Sequence, residues 1–232
     1  MTRAAAVPVH DLTADAFNAY GWMLGKPMPL GNGVPLFSND ATDFWQEHVF
    51  NTGAGGDAQV LWVNYRSASA DVASLEKHLL TQQAIVPLTG AIIQVVARSA
   101  ADGTPDLATL AAFRVEPGQG VCMRPGCWHA TRVTDAQVTC LMLTRRSTTL
   151  DLIQHLTTDA AASESAIAAI PGAMPIRVPS PKSTIRIEPA PAARLTRENG
   201  ATGTTRSAVL NFSITWSGLT SIGSASIRTL IP

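Results

Sequence analysis

Residues 75–90 read LEKHLLTQQAIVPLTG, two short apolar segments that are separated by polar residues and followed by the turn signal PLTG. If the first segment is a β-strand, Glu76 and His78 lie on one face and Lys77 lies on the other, because successive side chains of a strand alternate. The second segment ends at a proline and a glycine, which are the strongest local signals for a turn. The stretch therefore predicts two short strands joined by a polar connection.

Similar short strand-like segments recur through most of the chain, and turn clusters such as SASAD, ADGTPD, EPGQG, RPG and VTDA lie between them. Short strands at nearly regular spacing with turns between them are typical of an all-β barrel or sandwich. A barrel of about eight strands can hold one small ligand in its interior. The segments are QVLWVNYR, LEKHLL, AIVPL, AIIQVVARS, AFRVE, GVCMR, HATRV and QVTCLMLTRR.

Composition and charge narrow the class of protein. The chain has 232 residues, 46% of them hydrophobic, so it can bury a core, and Lys+Arg and Asp+Glu both total 17. This balance argues against a nucleic-acid or membrane-surface protein, which usually carries a basic excess. Three cysteines are too few for a disulfide framework, and no segment approaches the ~20 apolar residues of a membrane span. We expect a cytoplasmic protein that contacts neither nucleic acid nor membrane.

Helices and an extension complete the predicted organisation. LTADAFNAYG, TTLDLIQHL and ESAIAAI, the last at residues 164–170, are predicted to be short helices that flank the barrel. After Pro171 the composition changes to Pro, Ala, Thr and Arg without a clear period. We therefore predict a catalytic domain over residues 1–175 and an irregular C-terminal extension of unknown role, in part disordered, over residues 176–232.

Two distant segments carry the residues with useful chemistry. Glu76, His78 and Gln83 lie in the first, and His129 lies in the second, MRPGCWHA, four residues after Pro125. Both segments are predicted to be β structure, so a barrel would let these side chains converge on its interior. The segments resemble the two motifs of the cupin family, a double-stranded β-helix barrel, with Glu76 and Gln83 in place of two usual metal ligands. This resemblance implies that His78 and His129 are the remaining ligands if a metal is bound.

A narrower resemblance covers Asp11 to about Leu152. The segments LTADAFNAYG, LEKHLLTQQAIVPLTG and GTPDLATLAAFRVEPGQGVCMRPGCWHA, in this order, are similar to the ureidoglycolate lyase family, also named ureidoglycolate hydrolase. The resemblance implies cleavage of (S)-ureidoglycolate to glyoxylate and urea in allantoin, and hence purine, degradation. It also implies a homodimer and an association with a divalent metal, nickel.

The reaction fits acid–base chemistry without a redox cofactor. Ureidoglycolate is a carbinolamide, so removing its hydroxyl proton and protonating the departing nitrogen breaks the C–N bond, and one base and one acid suffice. Either histidine, His129 or His78, can be the base, since imidazole titrates near neutrality. Glu76 can orient a histidine, or be the acid if the barrel raises its pKa. Gln83 can donate a hydrogen bond to a substrate oxygen.

Substrate binding requires a partner for the carboxylate. An arginine suits this task because its planar guanidinium matches a carboxylate. The candidates are Arg66, Arg124 and Arg146 for the carboxylate, with Trp128 as a pocket wall.

Two alternative functions stay open at this point. One is a metal-dependent cupin hydrolase, isomerase or dioxygenase that acts on another small hydroxy acid. The other is a non-catalytic cupin that binds a small molecule, which the incomplete set of metal ligands permits.

Overall fold

The computed structural model describes residues 6–29, 33–66 and 71–177, together with the backbone of two short strands further on. The chain divides into two units, Met1–Thr184 and Ile185–Pro232. In the described part of the chain, no helix is both long and apolar enough to span a bilayer.

Strands dominate the described part of the first unit, and two helices accompany them there. The helices are α1, Ala14–Phe17, and α2, Arg146–Thr158. The strands are β1 Val7–Asp11, β2 Gly21–Leu24, β3 Leu36–Ser38, β4 Asp43–Trp45, β5 Ala58–Tyr65, β6 Asp71–His78, β7 Gln83–Pro87, β8 Ile92–Ser99, β9 Pro105–Val115, β10 Gly120–Met123, β11 Trp128–Val133, β12 Val138–Arg145 and β13 Ser165–Arg177. In the second unit, β14 Thr215–Trp216 pairs with β15 Leu219–Thr220.

The strands of the first unit form two main sheets. The strands β1, β13, β6, β11, β8 and β9 close into a barrel, and β2, β10, β7, β12 and β5 form a five-stranded sheet in that order. From β6 to β12 the chain alternates between the two sheets, since β6, β8, β9 and β11 belong to the barrel and β7, β10 and β12 to the other sheet. This alternation is that of a double-stranded β-helix and confirms the predicted cupin-like all-β fold.

Two apolar cores result from strands that are buried on both faces. Strand β8 shows the division, because Ile92 and Val96 belong to one core while Ile93 and Val95 belong to the other. The first core combines residues of both sheets with Phe17 of α1, so it lies between the sheets. The second draws only on strands of the closed barrel and fills its interior. An uninterrupted apolar sequence such as AIIQVV is the expected pattern for such a strand.

The helix predictions succeed at two of the three segments. The side chain of Thr13 accepts a hydrogen bond from the backbone N–H of Ala16 at the start of α1, and α2 covers the predicted TTLDLIQHL. The prediction of a helix at residues 164–170 is wrong, because this segment begins β13 and pairs antiparallel with β6. A short apolar segment cannot be assigned to helix or strand by periodicity alone, and here pairing with β6 makes it a strand.

Most of the segment for which a C-terminal extension was predicted lies outside the described residues. Strand β13 ends at Arg177, close to the predicted boundary between residues 175 and 176. The predicted disorder of residues 176–232 falls mainly on residues outside the described ranges. The division into a catalytic domain and an extension therefore stays a prediction.

The core between the sheets depends on Phe17, which is fully buried and lies edge-on to Phe113 with ring centroids 5.4 Å apart. We expect Phe17→Ala to lower the free energy of unfolding by about 3–5 kcal/mol, because it removes a buried ring and leaves a cavity. Phe44 is 60% exposed and is the matched control, so Phe44→Ala should cost less than about 1 kcal/mol. Urea unfolding followed by fluorescence measures both values, and equal losses would contradict this description of the core.

Candidate active site

The candidate site forms where β6 and β11 meet. His129 of β11 lies directly opposite Glu76 of β6, and Ser165 of β13 lies opposite His78. On β11, His129 faces the same side as Val133, which belongs to the core between the sheets. Gln83 reaches this side from the five-stranded sheet, where it pairs with Met123 of β10, a residue of the same core. The two sequence segments therefore converge as predicted.

A tight turn fixes β11 against the end of β6. The backbone N–H of Cys127 donates to the carbonyl oxygen of Arg124 at 3.1 Å, which closes a turn with Pro125 and Gly126 at its centre. Gly126 has φ +78°, a left-handed value that glycine adopts without strain. Its N–H donates to the carbonyl oxygen of His78 at 2.7 Å. This turn thus ties the start of β11 to the histidine at the end of β6.

His78 is buried and has a partner at each ring nitrogen. Its Nδ1 lies 3.2 Å from Ser165 Oγ, and its Nε2 lies 2.8 Å from Gln83 Nε2. The amide nitrogen of Gln83 donates, so His78 Nε2 accepts and the ring proton is on Nδ1, which donates to Ser165. Burial is the largest cause that lowers the pKa of His78, to about 4, and the neighbouring His129 adds to it. His78 is therefore a neutral imidazole near pH 7.

His129 is equally buried but keeps one nitrogen without a hydrogen bond. Its Nδ1 donates to the carbonyl oxygen of Cys127 at 3.0 Å. Its Nε2 lies 3.4 Å from Glu76 Oε1 without forming a hydrogen bond. The rings of His129 and His78 are 5.2 Å apart. Because a carbonyl only accepts, Nδ1 holds a proton and Nε2 is the nitrogen that exchanges one with the site.

Glu76 is the exposed member of the group, with 35% of its side chain accessible. Burial is the largest single influence on its pKa and raises it, but the interaction with His129 and the charge interaction with His78 together outweigh it. The net effect lowers the pKa of Glu76, so its carboxyl is ionised near neutrality. The alternative in which a raised pKa makes Glu76 the acid therefore does not hold.

The same group has the donors of a metal site. Ligand atoms of Glu76, His78 and His129 all lie within 4.8 Å of one another. In both histidines Nδ1 lies against an oxygen, which is usual for histidines that bind a metal through Nε2. Nε2 of His129 is buried without a hydrogen-bond partner, so it could also bind a cation. The residues thus fit a divalent metal, although Gln83 already occupies Nε2 of His78.

Comparisons of the sequence with known proteins all lead to the same family. The sequence model of a family described as ureidoglycolate lyase matches residues 4–163. The ureidoglycolate lyase of Rhodobacter capsulatus is 42% identical over 131 residues, which cover 52% of this chain and 74% of that protein. The enzyme of Brucella anthropi is 29% identical over 125 residues, with 52% and 71% covered. The enzyme of Schizosaccharomyces pombe is 35% identical over 83 residues, with 34% and 44% covered.

The chain belongs to the ureidoglycolate lyase family. The match confirms the resemblance found in the sequence, and membership makes the chain a lyase. Among solved structures, a dTDP-4-dehydrorhamnose 3,5-epimerase of Bacillus anthracis has a TM-score of 0.36 at 15% identity, with 63% of this chain and 84% of that chain covered. A TM-score this low adds nothing to the fold description above.

The predicted carboxylate partners do not join the four residues in this family member. The guanidinium of Arg124 lies over the ring of Trp22 at 4.3 Å and donates to the carbonyl oxygen of Asn18 at 2.5 Å, so Arg124 is held by the segment before β2. Arg66 and Arg146 are exposed, and in the described part of the chain neither side chain contacts the group. The sequence analysis could not separate them, because the contacts of a long side chain depend on distant segments.

Trp128 does not line the site. It precedes His129 on β11 and therefore points to the opposite face, into the core of the closed barrel. Lys77 lies beside it, with Nζ 4.5 Å from the centre of the Trp128 ring and donating to the carbonyl oxygen of Gly103 at 2.6 Å. This contact joins β6 to β11 on the face opposite Glu76 and His129.

Two partners of the histidines were missed by the sequence analysis. Ser165 was assigned to a helix, and its contact with His78 exists only because β13 pairs with β6. The Cys127 carbonyl could not be found from residue types, because a backbone oxygen has no signal in the sequence. Cys127 itself is a buried free cysteine, and burial raises the pKa of its thiol to about 12.

The lowered pKa of His78 makes stability depend on pH. The unfolded chain binds a proton at this residue below about pH 6.5, but the folded chain does so only below about pH 4. The contribution is therefore complete above pH 6.5 and is lost as the pH falls from 6.5 to 4. We expect the wild type to lose about 2 kcal/mol from this group between pH 7 and pH 5.

Urea unfolding at pH 7 and pH 5 measures this loss in the wild type, in His78→Gln and in His10→Ala. The control residue His10 is exposed. His78→Gln should lower the pH dependence by the amount given above, and His10→Ala should keep it. The same pH dependence in all three proteins would show that His78 is not held neutral.

Proposed function

We propose that Glu76, His78, Gln83 and His129 form the active site at which this chain cleaves (S)-ureidoglycolate to glyoxylate and urea. Family membership supports the reaction and the substrate. The observation that supports the site is the pair formed by His129 Nε2 and Glu76 Oε1, 3.4 Å apart. Because Nδ1 of His129 is bound by a backbone carbonyl, protons enter and leave this ring at the atom that faces Glu76.

One acid and one base act on the two sides of the substrate carbon. The Glu76 carboxylate accepts the proton of the substrate hydroxyl, and the C–O⁻ electron pair forms the carbonyl of glyoxylate as the C–N bond breaks. Nε2–H of protonated His129 donates to the departing nitrogen, so urea leaves neutral. The hydroxyl oxygen and the nitrogen share one carbon and are about 2.4 Å apart, which suits two protein atoms as close as these.

Neutral His78 and Gln83 hold the substrate rather than move the proton. Gln83 uses one amide hydrogen on His78 and keeps the other, which can donate to the hydroxyl or carboxylate oxygen of the substrate. The donor is held by a histidine that is itself held by Ser165. For the substrate carboxylate, Arg66 and Arg146 stay candidates because their side chains are exposed.

The chemistry requires no cofactor, but the site can hold a divalent metal such as nickel. Glu76, His78 and His129 would be its ligands. When bound, such an ion would polarise the hydroxyl oxygen of the substrate and lower the pKa of that group. Family membership does not favour the alternatives, a metal-dependent cupin enzyme on another hydroxy acid or a non-catalytic binder.

We also propose that the chain forms a homodimer. Val60 and Trp62, on the outer face of the edge strand β5, are 64% and 67% exposed. Their partners in register on β12 are Leu143 and Leu141, so the apolar surface is continuous across two strands. Such a surface is typical of a protein interface. A cytoplasmic location is a further proposal, supported by the three free cysteines, all buried.

His129→Ala removes the proposed proton donor to the departing nitrogen. We expect urea and glyoxylate release to fall by about 10²–10⁴-fold, the usual contribution of one acid–base group, while the fold stays intact. Glu76→Gln should cause a loss of similar size, and His10→Ala should keep full activity. Release is measured against the spontaneous decay of ureidoglycolate. Full activity of His129→Ala would place the active site elsewhere.

The role of a metal is tested on the full chain. Because one acid and one base suffice, we expect protein treated with a strong chelator and shown by elemental analysis to be metal-free to retain its activity. Loss of activity that nickel restores, together with bound metal that is lost in His78→Ala, would instead assign the chemistry to the ion.

A further inference from the structure

We propose that Lys77 is a positioning residue for the two site histidines, because its buried ammonium holds the turn of residues 124–127, which contacts both His78 and His129. Lys77 lies between Glu76 and His78 on β6, so its side chain points to the opposite face of the strand and does not touch the substrate. The inference rests on the proposed function, and it explains how a side chain outside the site fixes the geometry of proton transfer.

The ammonium of Lys77 is held at three points. Lys77 is 8% exposed. Its Nζ donates to the carbonyl oxygen of Gly103 at 2.6 Å and to Ser99 Oγ at 3.4 Å, and it lies 4.5 Å from the centre of the Trp128 ring. A cation is attracted to the face of an indole ring, but burying a charge is costly, and an apolar side chain would suit this core at lower cost. What the ammonium holds in place therefore explains the lysine better than core stability does.

Ser99 connects Lys77 to the turn of residues 124–127. The Ser99 hydroxyl accepts a hydrogen from Lys77 and donates its own to the carbonyl oxygen of Gly126 at 2.8 Å. The N–H of the same glycine donates to the carbonyl oxygen of His78 at 2.7 Å. Both polar groups of Gly126 are thus bound, one by the contact with Ser99 and the other by the end of β6.

The same turn fixes the ring of His129. The carbonyl oxygen of Cys127, the last residue of the turn, accepts from His129 Nδ1 at 3.0 Å. Trp128 lies between these two residues in the chain, and its ring packs on the Lys77 ammonium. Lys77 therefore restrains the segment that sets the distance from His129 Nε2 to Glu76. Proton transfer is sensitive to this distance, since a displacement of about 1 Å can cost about 10²-fold in rate.

Lys77→Met removes the ammonium and keeps a long apolar side chain. We expect kcat for ureidoglycolate to fall by about tenfold or more, because His129 is less well placed, while KM changes by less than about twofold, because Lys77 does not touch the substrate. Lys26→Met is the matched control. Lys26 also donates to a carbonyl oxygen, that of Met23 at 2.7 Å, but contacts none of the site residues, so both constants should stay within about twofold of the wild type.

Amide hydrogen exchange, followed by NMR, separates a positioning role from a general loss of stability. In Lys77→Met the Gly126 amide should exchange about tenfold faster, the effect of weakening one hydrogen bond. The Leu88 amide, which donates to the carbonyl oxygen of Thr139 at 2.9 Å in the other sheet, should keep its rate. Equal acceleration at both amides, or none at Gly126, would overturn the inference.

A second variant tests the path through Ser99, which is exposed, so that Ser99→Ala is expected to fold. Ser99→Ala should lower kcat by less than Lys77→Met does, and the double variant should lose less than the product of the two single losses, because both act on Gly126. Unchanged kcat in both single variants, or a full product in the double variant, would contradict the proposal. Faster Gly126 exchange in Lys77→Met, combined with a wild type that releases no urea, would contradict the proposed function alone.

Discussion

The pairing of β6 with β11 brings the proposed proton-transferring residues together, since Glu76 of one strand lies directly opposite His129 of the other. Two contacts support it. The turn after β10 binds the carbonyl oxygen of His78 through Gly126, and Lys77 packs on Trp128 on the opposite face. A shift of β11 by one residue would exchange its two faces and put Trp128 where His129 lies. The site thus depends on strand register more than on any single side chain.

Given this register, the main difference between the two histidines is what their Nε2 atoms contact. Both bind an oxygen through Nδ1, a serine hydroxyl for His78 and a backbone carbonyl for His129. Gln83 occupies Nε2 of His78, whereas Nε2 of His129 faces a carboxylate. The sequence could not assign the acid–base roles, since it shows two equivalent imidazoles. This difference supports the proposal that His129 transfers the proton and His78 positions Gln83.

The sequence analysis was right where the interactions join neighbours in the chain, and it was incomplete where they join distant segments. Strand alternation correctly placed Glu76 and His78 on one face, because that rule concerns neighbours in the chain. The same rule implies that Trp128 and His129 point in opposite directions, although the prediction of Trp128 as a pocket wall did not apply it. Ser165 could not be found, since its segment became a strand only by pairing with β6. Arg124 was likewise beyond prediction, because its partners are Trp22 and a carbonyl about a hundred residues away.

In the proposed active site, an amide at position 83 has an electrostatic advantage over a carboxylate. Ureidoglycolate brings one carboxylate, and Glu76, with its lowered pKa, contributes another charge of the same sign. Two like charges 4 Å apart repel by about 4 kcal/mol at an effective dielectric constant of about 20. A carboxylate at position 83 would add a third negative charge, whereas glutamine still donates a hydrogen bond.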